Sequence, residues 1–257
     1  MLLTQMLMER SYPVSFSVRD IAYIPQLGLV SAFVSKNASS FLKTYLSCWA
    51  RGSDFLSPKK NPHMPYNTGF QGVEQLGHQR MSELLRDRSV PKTVVGRHPV
   101  ERLVSAYLTR IRTWQRETYD SHNRSDWVTV RQAVAGKKQG AHSLSALAAI
   151  GADISFDDLV GYVAQTPSPL LDRHLVPQAD FAATDLIEYD LVGHVEGLDR
   201  YLVELADLLG RKPLDTSGVT VNATRSGESE PPVVSPASRQ KISRRYATDF
   251  AFFGYTA

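Results

Sequence analysis

An arginine and a serine eight residues apart, Arg97 and Ser105 in the stretch Val94 to Tyr107 (VVGRHPVERLVSAY), are the residue types that clamp a phosphate. The guanidinium offers a planar fork of donors that fits a phosphate bidentately, and the hydroxyl reaches the same group from the helix that follows. A second stretch upstream, Leu29 to Leu46 (LVSAFVSKNASSFLKTYL), places Lys36, Asn37, Ala38, Ser39 and Ser40 between an apolar run and a helical pattern. Backbone N–H groups at a helix N-terminus, the positive end of the helix dipole and the Lys36 ammonium all favour a dianion on such a loop. The pattern GxxxxGK[ST] is absent and no glycine lies between Ser31 and Arg51, so this is not a Walker A loop.

These residues need strands and helices to hold them. Leu29 to Val34 are mostly apolar and suit a strand, Lys36 to Ser40 form a tight polar loop, and Phe41, Leu42, Tyr45 and Leu46 recur at helical spacing. Gln79 to Arg88 reads as a short charged helix leading into a strand at Thr93 to Gly96. Pro99 suits the first turn of the next helix, and Leu103, Tyr107, Ile111 and Trp114 follow on one face. Glu101 and Arg102 then read as helix-surface or packing residues. Ser155 and Asp158 predict a capping-box variant opening a helix over Asp153 to Ala164. Ser53 to Gly77, rich in Pro, Asn, Gly and Lys, and Arg211 to Ser238, rich in Pro, Ser, Thr and Gly, predict loops, and Arg239 to Phe253 a single last helix.

The two loops together, Lys36-x-x-Ser39-Ser40 before a helix and Arg97-x-Pro99-x-x-Arg102-Leu103-x-Ser105-Ala106-Tyr107, resemble the sulfotransferases that use 3′-phosphoadenosine 5′-phosphosulfate (PAPS). The likeness is greatest to their carbohydrate branch, the chondroitin- and dermatan-type enzymes. Asp172 to Gln178 (DRHLVPQ) is similar to a His-x-x-Pro-Gln element of that branch. Tyr189 to Gly210 looks like its late strand and helix, and Tyr246 to Tyr255 (YATDFAFFGY) like its closing Tyr-x-x-Asp-Phe-x-x-Phe-x-Tyr signature. The resemblance implies an α/β, P-loop-like three-layer fold, a central parallel sheet flanked by helices with ligands at the carboxyl ends of the strands. It implies a single domain over 1–257 with its core at about 29–255. By the same resemblance Lys36 stabilises the leaving phosphate of PAPS, and the loop Asn37, Ala38, Ser39 and Ser40 holds the 5′-phosphosulfate. Arg97 and Ser105 bind the 3′-phosphate, and Arg225 in the late loop contributes a further donor contact. The general base for a carbohydrate or other hydroxyl-bearing acceptor is His63 (in NPHMPYN) or His174 (in DRHLVPQ). No metal is required by this scheme, and no His/Cys/Asp cluster has zinc spacing.

Composition narrows the class of partner. At 257 residues and 42% hydrophobic content the chain can bury a large core, and a formal charge of +3 makes no case for a nucleic-acid or membrane-surface protein. The single cysteine, Cys48, cannot pair within the chain and argues for a reducing compartment. The first twenty residues have no basic start, and Gln5, Glu9 and Arg10 break their apolar run well short of a bilayer span. A cytoplasmic, bacterial-type relative is therefore expected, the alternative being the catalytic part of a Golgi-type enzyme. Two other classes stay open at this stage. One is a small-molecule or nucleotide kinase, which lacks here both the Walker A pair and an evident Mg²⁺ carboxylate after the 93–96 strand. The other is a catalytically idle nucleotide- or glycan-binding relative.

Overall fold

The computed structural model describes residues 20–54, 68–112, 130–136, 153–217 and 230–257. They fall into two compact units, one within Met1–Arg97 and Gln178–Ala223, the other within His98–Pro177 and Thr224–Ala257. The architecture is mixed α/β.

The first unit is built on a four-stranded sheet in the order β1 (Ile21–Ile24), β2 (Leu29–Ala32), β3 (Lys92–Gly96), β4 (Leu191–His194). β2, β3 and β4 run parallel, with Ala32 beside Val94 and Gly96 beside His194, while β1 lies antiparallel to β2 at the edge. β2 and β3 are buried along their whole length, which is why their sequences are near-continuous apolar or small runs rather than alternating ones. Between them the chain forms α1 (Ser39–Ala50) and α2 (Val73–Arg86). After β3 it returns through the short α3 (Gln178–Ala182) to β4 and α4 (Leu198–Leu208). Leu42, Tyr45, Leu46 and Trp49 of α1 and Tyr201, Leu202 and Leu205 of α4 share one apolar core with Leu29 and Val95 of the sheet. Burial of that core is the main force holding the strand ends where they are.

Gly193 shows how close that packing is. A Cβ built there would overlap the ring of buried Tyr201, whose hydroxyl is pushed up to about 12 by desolvation, against an opposing hydrogen bond with Thr93. Overpacking with no room to relax costs about 3 kcal/mol, so Gly193→Ala is expected to lower the melting temperature by roughly 6–12 °C. An unchanged melting temperature would show that the ring moves aside.

The second unit is helical. α5 (Pro99–Tyr107) opens on Pro99 and runs into a wider π turn at Leu108–Arg112. Val100, Leu103 and Tyr107 of α5 pack with Phe156, Leu159 and Val163 of α6 (Phe156–Gln165). Ile242, Tyr246 and Phe250, from α7 (Pro236–Arg245), α8 (Ala247–Phe253) and the residue between them, complete this core. Ser155 caps α6 as the sequence implies: its Oγ accepts from Asp158 N at 3.1 Å, and its own N–H donates to the Asp158 carboxylate at 2.9 Å.

Two helices differ most from the sequence reading. The first charged helix begins at Val73, six residues early, and Gly77 (φ 75°) interrupts it, so the expected start near Gln79 marks the second segment of a broken helix. The last helix is two helices. Ser235 caps the first through its Oγ and Ser238 N, Pro236 occupies its first turn, and Tyr246 (φ −108°, ψ 27°) breaks the run.

Candidate donor loop and carboxylate–histidine pair

The loop after β2 carries Lys36 and Ala38 in the left-handed region, at φ 72° and 54°, directly before α1. Neither is glycine, and each such residue costs about 1–2 kcal/mol. Something must hold the loop in this shape. Main-chain bonds do part of it: Asn37 N donates to Val34 O at 3.2 Å, and Leu42 N to Ala38 O at 2.9 Å. The remainder comes from a buried amide pair. Asn37, 1% exposed, donates through Nδ2 to Val95 O of β3 at 2.8 Å and to Gln178 Oε1 at 2.6 Å. Gln178, fully buried, also accepts from Arg97 N at 2.9 Å and donates through Nε2 to Arg97 O at 2.8 Å. The Arg97 guanidinium in turn donates to Lys36 O at 3.3 Å.

Lys36 and Arg97, sixty-one residues apart, thus meet at the carboxyl ends of neighbouring parallel strands. With Ala38, Ser39 and Ser40, all part-exposed at the N-terminus of the twelve-residue α1, they form one cationic, N–H-rich edge. Asn37 does not belong to its surface. Its side chain lies beneath the loop as a strut, and its main-chain N–H, which the sequence offers to the phosphosulfate, donates to Val34 O.

In the second unit, Ser105 is 4% exposed on α5, with its carbonyl accepting from Thr109 Oγ1 at 2.7 Å. Three residues earlier in that helix, Arg102 is buried, the packing alternative of the sequence reading. It donates to Val176 O at 2.8 Å and to Arg173 O at 3.5 Å, and Tyr246 Oη donates to Leu175 O at 2.7 Å. Both motif residues therefore pin the segment that carries His174. In that segment the Asp172 carboxylate accepts from His174 N at 2.8 Å and lies 2.7 Å from His174 Nδ1. Burial pushes the Asp172 carboxyl up, but its hydrogen bonds and the charges of His174 and Arg110 outweigh this and hold it below the usual value. The stability this carboxylate contributes is full above its unfolded pKa and is lost as pH falls through the lower folded one. His63 and Arg225 lie outside the described residues.

The residues present in the quoted motifs but assigned no role at the site from the sequence are Gln178, Asp172 and Arg102. Asp172 had a local signal, since an Asp two residues before a His can take both its main-chain N–H and its ring nitrogen. Among the described residues no group of His, Cys, Asp and Glu is arranged to hold a metal ion, and no helix is long and apolar enough to cross a membrane.

Residues 19–256 match the model of the sulfotransferase family, and the chain belongs to that family. No curated protein and no solved structure matches it. Sulfuryl transfer to a hydroxyl-bearing acceptor is the chemistry that membership carries.

Proposed function

We propose that the chain transfers a sulfuryl group from PAPS to a hydroxyl of a carbohydrate acceptor, on a P-loop-like α/β scaffold. The observation that carries this reading is the contact between the Arg97 guanidinium and the main chain of Lys36. It joins a phosphate-binding loop to a second cation, as a donor bearing phosphates at both the 5′ and 3′ positions requires. In the reaction the acceptor oxygen attacks sulfur in line as the bond from sulfur to the bridging oxygen breaks. A sulfate ester and 3′-phosphoadenosine 5′-phosphate are formed, and the acceptor's proton passes to a base. The Lys36 ammonium and the N–H groups of Ala38 to Ser40 stabilise the charge that grows on the departing 5′-phosphate. Arg97 takes the 3′-phosphate, and Ser105 is assigned to it from the sequence motif.

Of the two candidate bases, His174 has support from the geometry. Because Asp172 can only accept, Nδ1 carries the proton, and Nε2 of the neutral ring carries the lone pair that takes up the acceptor's proton. The single cysteine continues to favour a reducing, cytoplasmic setting.

The test is affinity for 3′-phosphoadenosine 5′-phosphate. Arg97→Ala and Ser105→Ala are each expected to weaken it by about 10- to 100-fold, the worth of a charge-assisted hydrogen bond, while affinity for 5′-AMP changes little. Equal losses for both nucleotides would assign these residues to something other than the 3′-phosphate.

A further inference from the structure

We propose that Gln178 is a positioning residue for the donor site, a clasp that sets the shape of the Lys36 loop and the aim of Arg97 at once. This rests on the donor reading above. The polarity of the network leaves no freedom. Arg97 N–H can only donate and Arg97 C=O can only accept, so the Gln178 amide has one orientation, with Oε1 toward the N–H and Nε2 toward the carbonyl. Gln178 Oε1 is then an acceptor for Asn37 as well, and Val95 O is another. Both Asn37 amide protons are therefore committed, which fixes that side chain too.

The consequence for the site is geometric. Asn37 is the residue between the two left-handed positions, Lys36 and Ala38. Held from below by Gln178 and β3, it keeps those two residues in conformations they would otherwise leave. The same Gln178 amide brackets the main chain of Arg97 on both its polar atoms, in the way a neighbouring strand would, just where β3 has ended and no ladder continues. One buried side chain, 0% exposed, thus links the loop for one phosphate to the backbone that presents the guanidinium for the other. Gln178 does not reach the surface and does not itself touch the donor. Its effect on donor binding runs through Asn37 and Arg97.

Gln178→Met keeps the length and removes every bond, and Gln178→Asn keeps the amide but stops a methylene short of Arg97. Binding of 3′-phosphoadenosine 5′-phosphate is measured by calorimetry on each folded variant, at a temperature below its own unfolding transition. The clasp predicts a loss of about 10- to 100-fold in affinity for both, the size expected when binding groups are displaced by about an ångström. A role in stability alone lowers the melting temperature and leaves the affinity of the folded protein at the parent value, and that result overturns the proposal. If the Met variant does not fold, the Asn variant decides by the same criterion. Failure of the unmodified chain to bind the nucleotide would instead overturn the donor reading, and the clasp's role with it.

Discussion

Lys36→Ala is expected to lower kcat by about 10²- to 10³-fold, the usual cost of removing one preorganised group that stabilises a developing oxyanion. The ammonium is required most when the bond to sulfur breaks and negative charge moves onto the bridging oxygen, so the loss falls on kcat more than on donor affinity. The substitution is clean in two respects. Alanine at φ 72° bears the same left-handed strain as lysine, and the Lys36 carbonyl that accepts from Arg97 is a main-chain group that the variant keeps. Steady-state kinetics with saturating donor read the effect directly. A drop in kcat of less than about tenfold would remove Lys36 from the list of groups that act on the leaving phosphate.

His174→Ala is expected to lower kcat by about 10²- to 10⁴-fold and to leave the affinity for 3′-phosphoadenosine 5′-phosphate near the parent value, because a general base acts on the acceptor and not on the donor. Asp172→Asn should cost less. The amide can still accept from the His174 main-chain N–H at the position the carboxylate now holds, but it no longer steadies the charged ring formed on proton uptake. The pair of variants separates catalysis from folding, since Arg102 and Tyr246 hold the surrounding segment through its carbonyls and remain in both. Turnover retained in His174→Ala would transfer the role to His63.

What could be read from the sequence follows a physical line. The path from β2 through the Lys36 loop to α1 was legible because each part has its own local signature: a buried run, a short polar break, then apolar residues at helical spacing. The Ser155 cap was legible for the same reason. β1 was not read, since four residues, Ile21–Ile24, end at Pro25 and are too short to show a period. The break at Tyr246 was hidden because the apolar spacing of Ile242, Tyr246 and Phe250 continues through it. What ends the helix there accompanies a bond from the tyrosine hydroxyl to Leu175 O, a partner seventy-one residues away. The Ser235–Pro236 cap lies inside a stretch whose other serines and prolines suggest only loop.

The site divides in the same way. Lys36 and Arg97 announce themselves by charge and by the elements they terminate. Gln178 and Asn37 are uncharged amides whose meaning lies in a pairing across eighty-one and one hundred and forty-one residues, and no local pattern encodes that. Arg102 stands open between surface and packing in the sequence for a different reason. An arginine on a helix is usually solvated, and only the carbonyls of Val176 and Arg173 show why this one is buried.

The central claim is that the loop and the arginine together recognise a nucleotide with phosphates at both the 5′ and 3′ positions. Calorimetric titration of the unmodified chain with 3′-phosphoadenosine 5′-phosphate, ATP and 5′-AMP tests it most directly. The account predicts binding of the bisphosphate at least about tenfold tighter than either of the others, from the charge-assisted bonds that only the 3′-phosphate can make. A preference for Mg-ATP, or equal affinity for the bisphosphate and 5′-AMP, would contradict it.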